Sequence, residues 1–324
     1  MNTLVQMIGK NRPWIFVAVV LSMFGNMAAN AQVPPRSYWK TLQGTNAVPV
    51  IAMSVSGNVN PFDPSNHASG SITADVVIAG YAKMFPVWNK AAMLAVLLPM
   101  GRIEGEFFAG REASSGFGDP MIEFNINLIG PPPIMNLPDL LRYEPGFSLD
   151  LVVDVAFPLG NYDNTQSLNL GQNRWYGRIG TPIIWQLGPW IPEKRMTFEI
   201  YPSVWFFGDN DDFVGRNLSN DPTFELEVHL TRNFTSKFWG SIDATYSSSG
   251  DATIGSAPTS GSDMTLVGYT LGYQLNDSMQ LTIGYKSTLN NDAASDDLRM
   301  STFMISLTTG WHRLLEGAER LNGG

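Results

Sequence analysis

Ionisable side chains recur at alternate positions of several apolar segments, and this spacing is the strongest chemical signal in the sequence. In the run FELEVHL, Glu225, Glu227 and His229 alternate with large apolar residues. Successive side chains of a β-strand point to opposite faces, so residues spaced in this way share one face. The set comprises Glu123, Asp150, Asp154, Arg178, Glu199, Glu225, Glu227, His229, Asp243 and Lys286.

Carboxylates collected on one face have two interpretations, and the sequence leaves both open. They could line a water-filled path that favours cations, or a substrate site at mid-height. Alternatively, they form a structural charge ladder that fills a narrow barrel. In that ladder Glu225, Glu227 and Asp243 would pair with Arg178, Lys286 and His229. Both interpretations require the face to be enclosed by protein, because a carboxylate that faces lipid is costly.

The sequence does not indicate an active site. Of the three histidines, His67 falls in a predicted loop and His312 follows the last predicted strand, which leaves His229 on the polar face. No G-x-S-x-G, H-E-x-x-H or Walker motif is present, and the chain has no cysteine for zinc or thiol chemistry. The acidic run Gly208–Phe213 lacks the glycine and distal glutamate of an EF-hand loop. We therefore predict no catalytic residue, no cofactor and no metal ion.

The elements that position these residues are predicted strands. The stretch 264–289 shows two alternating halves joined by Asn276-Asp277-Ser278, which is typical of an antiparallel hairpin. Links alternate between short and long along the chain, except for a long link at 130–146, and outer-membrane barrels alternate in this way. The twelve predicted strands lie near 50–60, 71–84, 90–100, 119–129, 147–157, 175–186, 195–206, 223–230, 238–246, 264–274, 279–288 and 299–311.

The amino-acid composition also favours a membrane β-barrel. Only 15% of the 324 residues are charged, whereas a soluble protein has about 25%. The mean hydropathy of −0.04 is too low for a helical membrane protein. A net charge of −9 without a basic patch argues against nucleic acid as a partner. The predicted fold is all-β, a transmembrane antiparallel β-barrel of about twelve strands with an N-terminal signal peptide.

The two ends of the chain carry their own signals. Residues 1–31 resemble a secretory signal, because two basic residues precede the apolar run 14–24 and a small-x-small site predicts cleavage after Ala31. Residues 32–49 are irregular and contain three prolines, so they are predicted as a periplasmic N-terminal segment or a partial plug. The barrel is predicted over 50–311 and a periplasmic tail over 312–324.

Several motifs resemble a known family. They are GFGDPMIEF at 116–124, VDVAFPLG at 153–160, FELEVHL at 224–230 followed by Phe238-Trp239, and the hairpin at 264–289. On these residues the chain resembles the outer-membrane transporter proteins named for the meta-pathway of phenol degradation. That family is grouped with the barrels that carry long-chain fatty acids and aromatic hydrocarbons. The resemblance covers roughly residues 50–311, but the chain lacks the long N-terminal plug of the fatty-acid carriers.

The resemblance implies an outer-membrane channel or transporter for passive uptake of small, hydrophobic or aromatic compounds. A barrel of this kind is expected in the outer membrane of a Gram-negative bacterium, with membrane lipids, lipopolysaccharide, the barrel insertion machinery and a small-molecule substrate as partners. Two alternatives stay open: an outer-membrane enzyme acting on lipid, and a structural or surface-interaction barrel with a sealed lumen. Kinks predicted at Pro182 and Pro202 are the only hint in the sequence of a lateral route through the wall.

Overall fold

The computed structural model describes residues 33–63, 70–107, 110–289 and 298–314. The predicted signal peptide, His67 and most of the predicted C-terminal tail lie outside these ranges. The strands are β1 (Asn46–Gly57), β2 (Ser71–Val87), β3 (Lys90–Phe107), β4 (Gly110–Phe117), β5 (Met121–Ile129), β6 (Phe147–Ala156), β7 (Tyr176–Gly180), β8 (Ile183–Gln186), β9 (Met196–Phe207), β10 (Asn210–Phe213), β11 (Arg216–Asn220), β12 (Thr223–Asn233), β13 (Phe238–Ser249), β14 (Ala252–Ile254), β15 (Ala257–Thr259), β16 (Ser262–Asn276), β17 (Met279–Thr288) and β18 (Met300–Trp311). A short helix, α1, spans Leu137–Arg142.

The strands close into an antiparallel barrel. The order around the wall is β1, β2, β3, β5, β6, β7 with β8, β9, β12, β13, β16, β17 and β18, and β18 pairs again with β1 through Asn46 and Trp311. β7 and β8 count as one strand, because Gly180 and Ile183 meet β9 in the same register. The predicted barrel of about twelve strands is confirmed.

The two prolines do not open the wall. Pro182 lies between β7 and β8, and Pro202 lies within β9. A proline removes one ladder donor, yet the N–H of Thr181 donates to the Pro202 carbonyl at 3.0 Å and the N–H of Asp150 donates to the Pro182 carbonyl at 2.9 Å. The hydrogen bonds continue past both prolines, so neither provides a lateral route.

Burial alternates along the strands as the sequence pattern predicts. On β12, Glu227 and His229 are buried, whereas Phe224 and Leu230 on the opposite face are exposed. The inter-strand ladder satisfies the backbone polar groups, so an outward apolar band can face lipid. Among the described residues, no helix is long and apolar enough to cross a membrane.

The links sort to the two ends of the barrel. Tight turns join β2 to β3, β12 to β13 and β16 to β17 at one end, called here the short-turn end. At the opposite, long-loop end, several links predicted as loops contain strands. β4 extends the wall beside β3, and β10, β11, β14 and β15 form a separate four-stranded sheet.

The exceptional link at 130–146 lies at the short-turn end and contains α1. Asn136 caps this helix by accepting a hydrogen bond from the Asp139 N–H at 2.9 Å. Ile134 is buried and forms an isolated parallel bridge with Leu42. The link therefore docks an earlier part of the chain at the mouth of the barrel.

The barrel interior has two different walls. Inward side chains of β5 to β9, β12, β13 and β17 form the charged wall, which carries the ten ionisable residues identified in the sequence. Inward side chains of β1, β2 and β3 form the apolar wall. Its members are Ala47, Pro49, Ile51, Met53, Val76, Ile78, Ala82, Met84, Met93, Ala95 and Leu97. The polar inward face does not extend to these three strands, where segments such as 91–98 are apolar on both faces.

Candidate functional site in the barrel interior

Arg178 is the centre of the charged wall. Its Nε donates to Asp154 at 2.6 Å, and its Nη1 lies 3.6 Å from Glu225 Oε1 and 4.0 Å from Glu227 Oε1. The guanidinium also stacks on the Trp205 ring, 4.8 Å from its centre. One buried cation therefore faces three carboxylates that come from two different parts of the barrel wall.

A second group of ionisable residues joins β12, β13 and β17. His229 Nδ1 lies 2.8 Å from Asp243 Oδ1, and the Ser241 hydroxyl donates to the same oxygen at 2.8 Å. Lys286 Nζ lies 3.6 Å from Glu227 Oε2. The structure thus brings together the pairs that the charge-ladder interpretation names.

Asp150 and Glu199 have hydrogen-bond donors on the barrel strands, Asn127 and Thr197, and take further partners from outside the strands. Lys40 Nζ pairs with Asp150. The indole N–H of Trp39 donates to Glu199 Oε1 at 2.8 Å, and the backbone N–H of Arg36 donates to Oε2 at 2.9 Å. These donors belong to residues 33–42, which run inside the barrel and are called here the N-terminal segment.

The N-terminal segment is packed as well as hydrogen-bonded. The Arg36 guanidinium lies between the Trp39 and Trp239 rings, 4.2 Å from each. It donates to the Thr231 hydroxyl at 3.0 Å and to the Asn233 side-chain oxygen at 2.8 Å. The segment is thus fixed against the charged wall by specific contacts.

A partial plug was one of the two alternatives that the sequence left open for residues 32–49, but the sequence did not show which of their side chains contact the wall. Directly after the segment, the Gln43 N–H donates to the Ile134 carbonyl at 2.8 Å. The strand β1 begins at Asn46 rather than at residue 50. A usable signal existed in the run RSYWK at 36–40, which places two basic and two aromatic side chains in a stretch without periodicity. Such residues are well suited to pair with carboxylates and to pack against rings.

The outer chamber is the cavity nearer the long-loop end. Its volume is about 1150 Å³, including the open space at its mouth. The lining is chiefly apolar and contains Met53, Val76, Ile78, Leu97, Met121, Tyr176, Trp205, Phe207, Met264 and Leu266. Asp119, Gln172 and Glu225 add polar groups at its edge.

The inner chamber borders the N-terminal segment and the apolar wall, and Arg178 of the charged wall also lines it. Its volume is about 2360 Å³, including solvent-open space, and half-buried Glu123 is part of its lining. Five residues line both chambers: Met53, Ile78, Leu97, Met121 and Trp205. An apolar surface therefore continues from one chamber into the other.

A cap of packed loops covers the outer chamber at the long-loop end. Arg174 is buried and its Nη2 pairs with Asp63 at 2.6 Å, which joins two loops. Phe62, Leu168 and Leu170 pack in the same apolar cluster as the upper inward side chains of β1 and β2. The cap is thus built from one buried ion pair and an apolar layer.

Two motifs that carry the family resemblance meet in this cap. Asp119, from GFGDP, accepts the N–H of Gly160, from FPLG, at 2.9 Å and the N–H of Gln172 at 2.7 Å. Burial raises the pKa of the Asp119 carboxyl, and these N–H donors oppose that rise. A Cβ at Gly160 would lie 2.7 Å from the backbone of Gly118. The motifs therefore position the loops that cover the chamber.

The acidic run Gly208–Phe213 lies in the four-stranded loop sheet and its approach. Asn210 is buried, and its amide donates to the Gln172 carbonyl at 2.9 Å. Within the described ranges, no group of three or more His, Asp or Glu side chains is arranged to hold a metal ion. The contacts of this run are those of a loop that supports the cap.

Comparisons with known proteins agree with this architecture. The family model described as "Putative MetA-pathway of phenol degradation" matches residues 40–295. Among solved structures, the chain is similar to an outer membrane channel from Pseudomonas putida F1, with a TM-score of 0.70, 18% identity, and coverage of 86% of this chain and 100% of that chain.

Two further solved structures are more distant. The transport unit of the autotransporter AIDA-I from Escherichia coli has a TM-score of 0.45 at 9% identity, with coverage of 93% of this chain and 99% of that chain. The NanC porin has a TM-score of 0.44 at 11% identity, with coverage of 81% and 98%. No curated protein matches the sequence. At these identities, the likeness to the Pseudomonas channel establishes the barrel fold alone.

Proposed function

The chain belongs to the family described as putative MetA-pathway of phenol degradation, and from that premise we propose that it is a passive outer-membrane channel for small apolar or aromatic molecules. The observation that carries the proposal is the outer chamber, whose lining is dominated by aliphatic, methionine and aromatic side chains. Small-molecule sites are typically apolar cavities with a few polar groups, and the chamber has this composition. An aromatic solute that enters it gains about 25 cal/mol for each Å² of apolar surface removed from water.

The proposed transport is passive. The apolar wall continues from the outer to the inner chamber through Met53, Ile78 and Leu97. A solute can therefore keep contact with the apolar wall as it moves between the chambers, and a concentration gradient is a sufficient driving force. Cations of the protein already lie against carboxylates of the charged wall, with Arg178 beside Asp154 and Lys40 beside Asp150, and this arrangement favours uncharged solutes over ions.

The proposal includes a cellular setting. The signal peptide is cleaved after Ala31, and the barrel insertion machinery places the protein in the outer membrane of a Gram-negative bacterium. There the apolar exterior contacts membrane lipids and lipopolysaccharide. The long-loop end faces the outside and the short-turn end faces the periplasm.

The test uses two separate variants of Leu97, which lines both chambers. In each variant a residue of similar size replaces the leucine. Leu97→Asn places an amide in the apolar route, whereas Leu97→Met keeps the route apolar. Cells with an intact lipopolysaccharide layer are given the apolar dye 1-N-phenylnaphthylamine, and the rise of its fluorescence measures uptake. Relative to wild type, we expect roughly five- to thirtyfold slower protein-dependent uptake for Leu97→Asn, because a polar group in an apolar site costs on the order of 1–2 kcal/mol, and no change for Leu97→Met.

Controls separate transport from assembly. Heat-modifiable migration in gels confirms that each variant is a folded barrel, and cells with an empty vector set the background. Uptake by wild type that does not exceed the background would favour the sealed-barrel alternative. Equal uptake by the two Leu97 variants would show that solutes do not follow the apolar wall.

The proposal does not include catalysis. His229 Nδ1 is held by Asp243, and Nε2 faces Glu227 Oε2 at 3.9 Å. In the contacts of the described residues, neither ring nitrogen of His229 faces a serine or threonine hydroxyl as a nucleophile–base pair would require. The enzyme alternative therefore has no arrangement in its favour in this part of the chain.

A further inference from the structure

We propose that the N-terminal segment is the selectivity element of this channel. It stays on the charged wall, satisfies the carboxylates there, and confines solutes to the apolar wall. This inference rests on the proposed function as a channel. It goes beyond that function because it identifies the part of the chain that makes the route selective for uncharged molecules over cations.

The hydrogen bonds between the segment and the barrel strands lie on one side of the barrel interior. Between residues 33 and 40, the hydrogen bonds described to the barrel run to β6, β9 and β12, which all belong to the charged wall. At its beginning, the N–H of Val33 donates to Glu227 Oε1 at 3.2 Å. At mid-length, the buried Tyr38 ring packs edge-on against Tyr201 on β9, 5.4 Å between centres. The hydrogen bonds of the segment thus run to the charged wall, while Val33, Pro34 and Pro35 also border a small pocket that is lined by Met53 of β1 and by Thr302 and Met304 of β18.

The other side of the segment faces the inner chamber. Residues of the segment, including Tyr38, Trp39 and Leu42, line this chamber opposite Ile78, Ala82, Met84, Met93 and Ala95 of the apolar wall. The free space therefore borders β1–β3 beside the segment, and it also reaches Glu123 and Arg178 of the charged wall. A solute can pass the segment along the apolar wall without displacing it.

The charge balance explains why the segment is needed. Among the described residues, the charged wall holds seven carboxylates: Glu123, Asp150, Asp154, Glu199, Glu225, Glu227 and Asp243. Two permanently charged side chains of its strands, Arg178 and Lys286, face them, so the formal count leaves a surplus of five acidic groups. Arg36 and Lys40 of the segment reduce the surplus to three, and the remaining carboxylates are spaced among histidine, hydroxyl and N–H groups.

Removing the segment would expose this surplus to water. Asp150 would lose Lys40, and Glu199 would lose the indole and backbone N–H donors. Carboxylates that regain water attract cations and favour their passage. The protein without its segment should therefore conduct cations through a lumen that carries little current in the wild type.

The first experiment measures ionic current in planar bilayers. We compare wild type, a deletion of residues 33–40, and the full-length double variant Arg36→Gln with Lys40→Gln. The deletion should raise the single-channel conductance at least tenfold, with a cation preference that falls when Asp150→Asn and Glu199→Gln are added. The double variant should show a smaller rise with the same preference. If the deletion variant does not form a barrel, the double variant alone tests the inference.

The opposing results are specific. Unchanged conductance in both the deletion and the double variant would overturn the inference, and so would an anion preference. A wild type that already conducts as well as the deletion would also overturn it. Failure of the proposed function itself would appear separately, as wild-type dye uptake that does not exceed background.

The second experiment tests whether the segment stays in place during transport. The chain has no cysteine, so Pro35→Cys with Thr302→Cys provides two unique thiols beside the same small pocket. A short bismaleimide joins them in intact cells, and each single-cysteine variant treated in the same way is the control. Dye uptake should stay at the rate of the single-cysteine controls after bridging. A several-fold loss only in the bridged protein would mean that the segment must leave the lumen, which contradicts the inference.

Discussion

The charged wall and the apolar wall of this barrel solve the same geometric problem in different ways. Both present side chains to the interior at every second residue, because strand geometry allows nothing else. Inward residues of the apolar wall, such as Met53 and Ile78, pack against other apolar residues and line the two chambers. The charged wall needs partners from elsewhere in the chain, and the N-terminal segment supplies them. The difference teaches that a polar strand face indicates enclosure, but does not indicate an open pore.

The largest effect is expected from removing the central cation of the charged wall. Arg178→Met leaves Asp154, Glu225 and Glu227 without their shared partner, which should reduce the free energy of unfolding by about 3–5 kcal/mol. Urea unfolding of the barrel in detergent, followed by tryptophan fluorescence, measures the loss. Arg178→Lys should recover part of it, since the charge remains but the second arm of the guanidinium is absent. If Arg178→Met unfolds at the wild-type urea concentration, the two walls do not differ in the way described here.

A somewhat smaller effect is expected on the outside of a strand of the charged wall. Leu226 points outward between Glu225 and Glu227, so Leu226→Arg places a charge in lipid and should cost about 2–4 kcal/mol near the midplane. Glu225→Gln on the neighbouring inward position should insert almost as well as wild type. Insertion is measured as the heat-modifiable fraction in the outer membrane. Equal losses for the two variants would reverse the assignment of faces on β12.

A moderate effect is expected in the apolar wall. Ile78→Ala removes methylene groups from a side chain that already borders both chambers, so the cost should lie near the low end for this substitution, about 2 kcal/mol. The same urea unfolding measures it. Conductance should stay at the wild-type level, because no carboxylate loses a partner. A new cation conductance in Ile78→Ala would mean that the apolar wall, rather than the N-terminal segment, excludes ions.

The smallest effect on stability is expected at the two ends of the walls. Val214→Cys in the turn between β10 and β11 and Ser278→Cys in the turn between β16 and β17 are surface changes, each within about 0.5 kcal/mol of wild type. A membrane-impermeant maleimide should label Val214→Cys on intact cells and should label Ser278→Cys only after the outer membrane is opened. Labelling at Ser278→Cys on intact cells would invert the assignment of the outer and inner chambers.

Much of the fold follows from local patterns. The barrel strands β5, β6, β9, β12, β13, β16, β17 and β18 were predictable because apolar and polar residues alternate along them, as in the run around Glu225 and Glu227. Three of the ion pairs were predictable as a group, because enclosed carboxylates need cations and Arg178, Lys286 and His229 were the candidates on facing strands. The extra strands at the long-loop end were not, since short pairs such as β14 and β15 have little pattern of their own.

The sequence by itself determined the barrel, its approximate strand number and the ionisable residues on the inward face of the strands. Those properties depend on a period of two along the chain and on the cost of charge in lipid, and both are local. Only the tertiary structure decided that residues 33–42 return into the lumen and that Asp150 and Glu199 receive additional donors from there. Such contacts join positions more than a hundred residues apart, and no periodicity encodes them. The closing of the sheet fixed which strands face each other across the interior, and therefore which carboxylates are neutralised and where an apolar path remains.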